Sequence, residues 1–242
     1  MAGAGDLLLP DPREVEALNR ARQHVLERIA AACGRAGRDP GAVALLAVSK
    51  NVSADRLRAA VAAGLTTLGE NRVQEAEAKV DLVPGANWEL VGPLQSNKAR
   101  RALETFARIQ AVDSLELARR LDRLAGEVLP DRRYRVLVQV NVDQDPGKAG
   151  FPPAGTDEAM DELAHLANLA IDGFMTIGRL TSSAAEARET FEGLRETAAR
   201  IRGRWPAIGP ELSMGMSDDF ELAIEEGATI VRVGRTLFGE RH

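Results

Sequence analysis

Val43-Ala44-Leu45-Leu46-Ala47-Val48-Ser49-Lys50 is the stretch that decides the fold. Small and apolar residues, broken only by Ser49, run straight into one lysine, with Pro40-Gly41 just upstream. A short apolar run with such boundaries reads as a strand buried on both faces. Ser53 follows as an N-cap, and a helix carrying Leu57, Ala60 and Val61 on one side runs to Gly64. The unit is strand, lysine, turn, helix. Lys50 therefore sits where a buried strand leaves its sheet, the place where α/β proteins carry their chemistry.

The same unit recurs along the chain. Further strands are expected at Thr66–Asn71, Asn87–Gly92, Arg108–Asp113, Arg135–Val142, Leu169–Ile177, Glu211–Ser213 and Ile230–Val233. Between them lie helical patterns: 72–80, a helix entered through Ser96-Asn97-Lys98, one capped by Ser114, 157–167, one opened by the capping box Ser183-Ala184-Ala185-Glu186, and one capped by Ser217. Upstream, Val15, Leu18, Val25, Ile29 and Ala32/Cys33 recur at helical spacing, giving a leading helix over 13–37 behind a loose tail at 1–10. Strands alternating with helices imply a parallel sheet covered by helices. Eight units favour closure into a single (β/α)8 TIM barrel with an extra N-terminal helix over an open doubly wound sheet. No linker-like segment divides the chain, so 1–242 reads as one domain.

Composition removes several function classes. A net charge of −5 gives no basic footprint for nucleic acid. No apolar run approaches the roughly 18 residues of a membrane span, and the N-terminus lacks the basic region of a secretory signal. The expectation is a cytoplasmic protein. One cysteine, Cys33, rules out an internal disulfide, and it falls on the apolar stripe of the leading helix. His24, His165 and His242 show no metal-ligand spacing, so no metal is expected.

The strand ends carry polar groups: Lys50, Asn71, Asp113, Asn141, Ser213 and Arg232. Two of them open into small-residue turns before a helix, Ser213-Met214-Gly215-Met216-Ser217 and Arg232-Val233-Gly234-Arg235-Thr236. Glycines let backbone approach an anion, and helix N-termini offer unpaired N–H donors. The loops after strands seven and eight are the usual phosphate site of such barrels. A lysine across the mouth from a phosphate cradle points to a carbonyl-bearing phosphate held as a Schiff base. These residues leave the carbonyl compound open, a sugar phosphate handled by a Schiff-base aldolase being one reading. Of 31 basic residues only Lys50, Lys79, Lys98 and Lys148 are lysines. Lys98 and Lys148 also follow strand ends and are read as solvated loop lysines rather than as a second cofactor site. Trp88, Trp205, Phe174 and the Met214/Met216 pair are read as packing.

Five stretches together resemble the pyridoxal phosphate homeostasis protein family: Leu46–Lys50, Gly69–Glu75, Gly92–Lys98, Leu212–Asp219 and Val231–Gly234 with Phe238-Gly239. The resemblance implies a barrel like the N-terminal domain of alanine racemase, the type III fold of pyridoxal-phosphate proteins. It implies pyridoxal 5′-phosphate on Lys50, Asn71 beside it, and Arg232 facing the pyridine nitrogen. Ser213 and the backbone at Gly215, Met216 and Gly234 would hold the phosphate. Where the family has a hydroxyl residue after Val-Arg-Val-Gly this chain has Arg235, whose guanidinium would replace it. Where the family often has histidine after the strand-three tryptophan stands Glu89, expected to be structural or exposed.

A permanently charged arginine at the ring nitrogen keeps it unprotonated and makes the ring a poor electron sink. The one tyrosine, Tyr134, precedes the core of strand five and so belongs to the barrel floor, out of reach of the mouth. The alanine racemase second domain, which supplies a second base, is not expected after strand eight. The expected function is thus a monomeric cofactor carrier in vitamin B6 homeostasis, passing pyridoxal phosphate to dependent apoenzymes. A weak racemase or lyase is the alternative.

Overall fold

The computed structural model describes residues 9–179, 181 and 183–239. Most of the tail at 1–10 lies outside the described residues, as does His242.

Eight parallel strands form a closed barrel in sequence order: β1 (Ala44–Val48), β2 (Thr67–Glu70), β3 (Asn87–Leu90), β4 (Arg108–Val112), β5 (Tyr134–Gln139), β6 (Leu169–Met175), β7 (Glu211–Ser213) and β8 (Ile230–Val233). β1 closes the ring by pairing with β8 from Ala44↔Ile230 to Ala47↔Val233. Closure leaves no strand edge exposed. The helices are α1 (Pro12–Ala36), α2 (Ala54–Ala62), α3 (Val73–Glu77), α4 (Ala99–Thr105), α5 (Leu115–Val128), α6 (Pro153–Leu163), α7 (Ala184–Arg204), α8 (Phe220–Glu225) and α9 (Arg235–Phe238). The expected barrel with its leading helix is the fold observed.

Side-chain alternation builds two cores. In β8, Val231 and Val233 face outward into the layer between sheet and helices, and Ile230 packs inside with Leu46, Val91, Ala111, Leu137 and Met175. The outer layer is filled from amphipathic helices. In α5, Ser114 accepts the Leu117 N–H at the N-terminus, and Leu117, Leu121 and Leu124 lie buried on one face. Each such leucine contributes about 1.5–3 kcal/mol through the apolar surface it removes from water.

Arginines lace the helices together on the outside. Arg28 and Arg35 of α1 reach Glu221 and Glu225 of α8, and Arg56 of α2 reaches Glu14 of α1. Arg101 of α4 pairs with Glu77 of α3, Arg100 of α4 with Glu127 of α5, and Arg119 of α5 with Glu162 of α6. Arg200 and Arg204 of α7 pair with Asp157 and Asp161 of α6, and Arg188 of α7 with Glu225 of α8. A guanidinium spans neighbouring helices with a fixed fork that a lysine lacks.

Three local expectations change. The sixth helix begins at Pro153 rather than Asp157, because Pro at the first helical position gives up only an N–H that would be unpaired anyway. The Ser183–Glu186 box closes through a third residue: Ser183 accepts the Glu186 N–H, while Thr181 Oγ1 donates to Glu186 and accepts the Ser183 N–H. Ser217 does not cap α8. Its hydroxyl turns the other way, toward Gly234.

Candidate functional site

The mouth is built from the carboxyl ends of the strands. After β1 the chain makes a tight turn, closed by the Val52 N–H to the Ser49 carbonyl at 3.0 Å, with Asn51 at φ 63°. Lys50, half-buried, occupies that turn. Ser49 is fastened from behind: its hydroxyl donates to Glu70 Oε1 at 2.8 Å, and Lys79 Nζ donates to the same oxygen at 2.7 Å and to the Ser49 carbonyl at 3.1 Å. Glu70 is fully buried, and burial pushes its carboxyl above the usual range against the opposing pull of Lys79 and Ser49. Next along the rim, Asn71 lies directly against Gly92, where a Cβ would come within 2.4 Å of the Asn71 carbonyl oxygen.

Across the mouth, the loops after β7 and β8 are joined to each other. The Arg232 N–H donates to the Gly215 carbonyl at 3.1 Å, and the Gly234 N–H donates to Ser217 Oγ at 3.4 Å. Gly215 has φ 87°, and a Cβ there would sit 2.5 Å from that of Ala223, so glycine is required. The Met216 N–H is taken by Asp219 Oδ1 at 2.6 Å, which folds the loop back on itself. α9 starts at Arg235, with the Leu237 and Phe238 N–H groups both on the Gly234 carbonyl. The Arg235 guanidinium pairs with Asp218. Gly234 packs against Val48, two residues before Lys50, and so brings this loop beside the lysine turn.

Arg232 lies below these loops, buried in the barrel. Its Nη1 donates to Ser213 Oγ and its Nη2 to the Thr176 carbonyl, each at 2.7 Å. Burial lowers its pKa to about 10, with Asp219 opposing the shift. Ser213, expected at the phosphate, has its hydroxyl on Arg232 and, at 2.6 Å, on Gln110 Oε1. The hydroxyl that the structure joins to the Gly234 loop is that of Ser217. Gly215 and Ser213 both bond Arg232, Gly234 bonds Ser217 of the neighbouring loop, and Lys50 and Asn71 stand on the adjoining strand ends. Met216 is exposed.

The residues without an expected role settle as follows. Glu89 is buried, gripped by both Nε and Nη2 of Arg108 at 2.9 and 2.8 Å. Tyr134 is at the floor, its hydroxyl donating to the Phe106 carbonyl at 2.6 Å. Lys148, expected to be solvated, donates to the Gly178 carbonyl at 3.0 Å and ties two rim loops together. Cys33, Trp88, Phe174 and Met214 are core. Among the described residues there is no metal-ligating cluster and no helix long and apolar enough to cross a membrane. Sequence reasoning missed Ser217 as a loop tie and Gln110 altogether. The polar positions 108 and 110, two apart in an otherwise apolar strand, were the available signal that this face looks inward.

The alanine racemase N-terminal domain model matches residues 20–242, which defines the class of barrel. Alanine racemase from Corynebacterium glutamicum shares the fold at 17% identity, with a TM-score of 0.73 over 94% of this chain and 62% of that one. The pyridoxal phosphate homeostasis protein of Pseudomonas aeruginosa is 42% identical over 90% of this chain and 93% of its own. PipY of Synechococcus elongatus, solved with pyridoxal phosphate bound, superposes with a TM-score of 0.77 at 45% identity, covering 89% of this chain and 100% of that one. The chain belongs to the pyridoxal phosphate homeostasis protein family.

Proposed function

We propose that this protein holds pyridoxal 5′-phosphate at the barrel mouth with Lys50 as its covalent anchor, and works as a carrier in vitamin B6 homeostasis rather than as a catalyst. The observation that carries the reading is the buried Arg232 fixed directly beneath the joined Gly215–Ser217 and Gly234 loops, beside the Lys50 turn. The donor set fits the group. Ser217 and the backbone of both loops would meet the phosphate. Arg232 would donate to the ring nitrogen, and Asn71 would stand beside the ring. The Arg235 guanidinium, paired with Asp218, would lie at the rim of the phosphate pocket.

When bound, the cofactor supplies an aldehyde that a primary amine can hold and a pyridine ring that can accept electrons. Arg232 works against the second property, because a guanidinium donates a proton to the ring nitrogen's lone pair without giving it up. A second base is needed to return a proton to the opposite face of a substrate. Tyr134 is committed to the Phe106 carbonyl at the floor, and burial raises its pKa further. Relatives carry the name of homeostasis proteins, and PipY was solved with the cofactor, which supports the reading. The buried free Cys33 suits a reducing compartment such as the cytoplasm. Handover would go to apoenzymes that need the cofactor, from a monomer.

The test is an absorption spectrum of the protein with pyridoxal phosphate, before and after borohydride, beside Lys50→Ala. A visible band lost on reduction, with the label on the Lys50 peptide and no band in the variant, is expected. A colourless protein, or label on another lysine, overturns the anchor. Exchange of an amino acid's α-proton with solvent deuterium, expected to be absent, would move the reading to the racemase alternative if it were seen.

A further inference from the structure

A single line of hydrogen bonds crosses the barrel interior from floor to mouth. At the floor, Arg108 grips Glu89 through two N–H groups. Glu89 Oε2 accepts from Gln110 Nε2 at 2.6 Å, and Gln110 Oε1 accepts from Ser213 Oγ at 2.6 Å. Ser213 Oγ in turn accepts from Arg232 Nη1 at 2.7 Å. All five side chains are buried, and they come from β3, β4, β7 and β8.

The line has one possible direction. Arg232 only donates, so Ser213 must accept from it and is free to donate onward. Gln110 must then present its oxygen to Ser213, which turns its amide nitrogen to the carboxylate. The flipped amide would set oxygen against Glu89 and nitrogen against a hydroxyl already turned toward it. Every dipole therefore points the same way, and the charge of Glu89 polarises each link up to Arg232. A buried guanidinium needs such compensation, because an unpaired buried charge is costly. Asp219 is the carboxylate that acts on Arg232 directly, and it lies on the loop side.

We infer that Gln110 and Ser213, polarised from below by Glu89, are positioning residues that lock the Arg232 guanidinium in one orientation. Ser213 then serves the ring end of the ligand through Arg232 rather than its phosphate end. The consequence for the ligand rests on the pyridoxal-phosphate reading above; the locking of Arg232 does not.

The experiment is nitrogen-15 NMR of the arginine side chains in protein without added cofactor, with Arg232 assigned by its loss in Arg232→Lys. A guanidinium held on both Nη atoms rotates slowly and shows separate Nη signals. The parent is expected to show them, Gln110→Met and Ser213→Ala to merge them, and Ser213→Thr to restore them. Pyridoxal-phosphate affinity is expected to fall about tenfold in each of Gln110→Met and Ser213→Ala, and no further in the double variant, as for groups acting as one unit. Merged signals in the parent, or separate ones in Gln110→Met, overturn the proposal. Additive affinity losses overturn it too, since Ser213 would then touch the ligand independently. A parent with separate signals that Gln110→Met merges, but with no affinity for the cofactor, upholds the locked arginine and sinks the cofactor reading instead. If Ser213→Ala does not fold, Gln110→Met alone decides.

Discussion

The arginines on the outside of the barrel and those inside it face opposite problems. Outside, Arg101 is more than half exposed and meets Glu77 across a helix–helix groove. Water screens that pair, and its loss leaves two charges that water can hydrate again. Inside, Arg108 is 6% exposed and Arg232 5%, and neither has water to fall back on. Burial pulls the pKa of Arg108 down, but Glu89, Asp172 and Glu211 outweigh it and push it above the usual value. Arg232 bonds a hydroxyl and a carbonyl, with Asp219 the carboxylate acting on its charge, and its pKa falls. The floor pair holds its charge by contact, the mouth arginine by a line of dipoles. The difference suits their positions: the floor is structural, while the mouth arginine must keep donors for a ligand.

The largest expected effect breaks the floor. Glu89→Ala leaves Arg108 buried without its main partner and should lower unfolding free energy by about 3–5 kcal/mol, read from urea unfolding. Tyr134→Phe, which orphans the buried Phe106 carbonyl, should lose about 1–3 kcal/mol in the same measurement without changing cofactor affinity. The outer lacing is the mildest. Arg101→Gln should shift stability by about 0.2–1 kcal/mol, and less at high salt, read from melting midpoints at two ionic strengths.

Acid pH sharpens the contrast, because carboxyls on the two sides shift oppositely. Hydrogen bonds from Arg188 hold Glu225 below its ordinary 4.5, whereas burial holds Glu70 above it. Glu225 therefore adds stability that is present above pH 4.5 and lost as pH falls through its folded value. Glu70 does the reverse: the folded state binds its proton more tightly, so stability is regained as pH falls from its raised value toward 4.5. In urea unfolding across that range, the parent should gain on Glu70→Gln as pH drops, and should lose on Glu225→Gln below 4.5.

The strands were legible because short segments such as β1 and β5 are largely apolar and bounded by turns, and closure followed from the number of strand–helix units. Ser53, Ser114 and Ser183 were legible as caps because capping is a local matter of three or four residues. Ser217 has the same local signature but a partner 17 residues away, so spacing alone misreads it. Gln110 and Ser213 are 103 residues apart in sequence, and their contact exists only once the ring has closed. Lys50 and Arg232 could be named as rim residues from strand ends. What holds Arg232 in place could not, since the interior of a barrel juxtaposes residues that no periodicity links.

The leading helix α1 has a consequence for how the protein is made. It packs on α2, α8 and α9, and Arg38 just beyond it donates to the carbonyls of Ile224 and Ala228. It therefore straddles the seam where β8 meets β1. On the ribosome α1 emerges before every strand of the barrel, whereas α8 follows seven of them and α9 all eight. Its apolar stripe of Leu18, Val25 and Ile29 has to wait through the synthesis of nearly the whole barrel. Folding dominated by such distant contacts is slow and exposes sticky surface on the way. α1 can thus complete its packing only after α8 and α9 have formed, so the seam is the last part of the outer layer to be sealed.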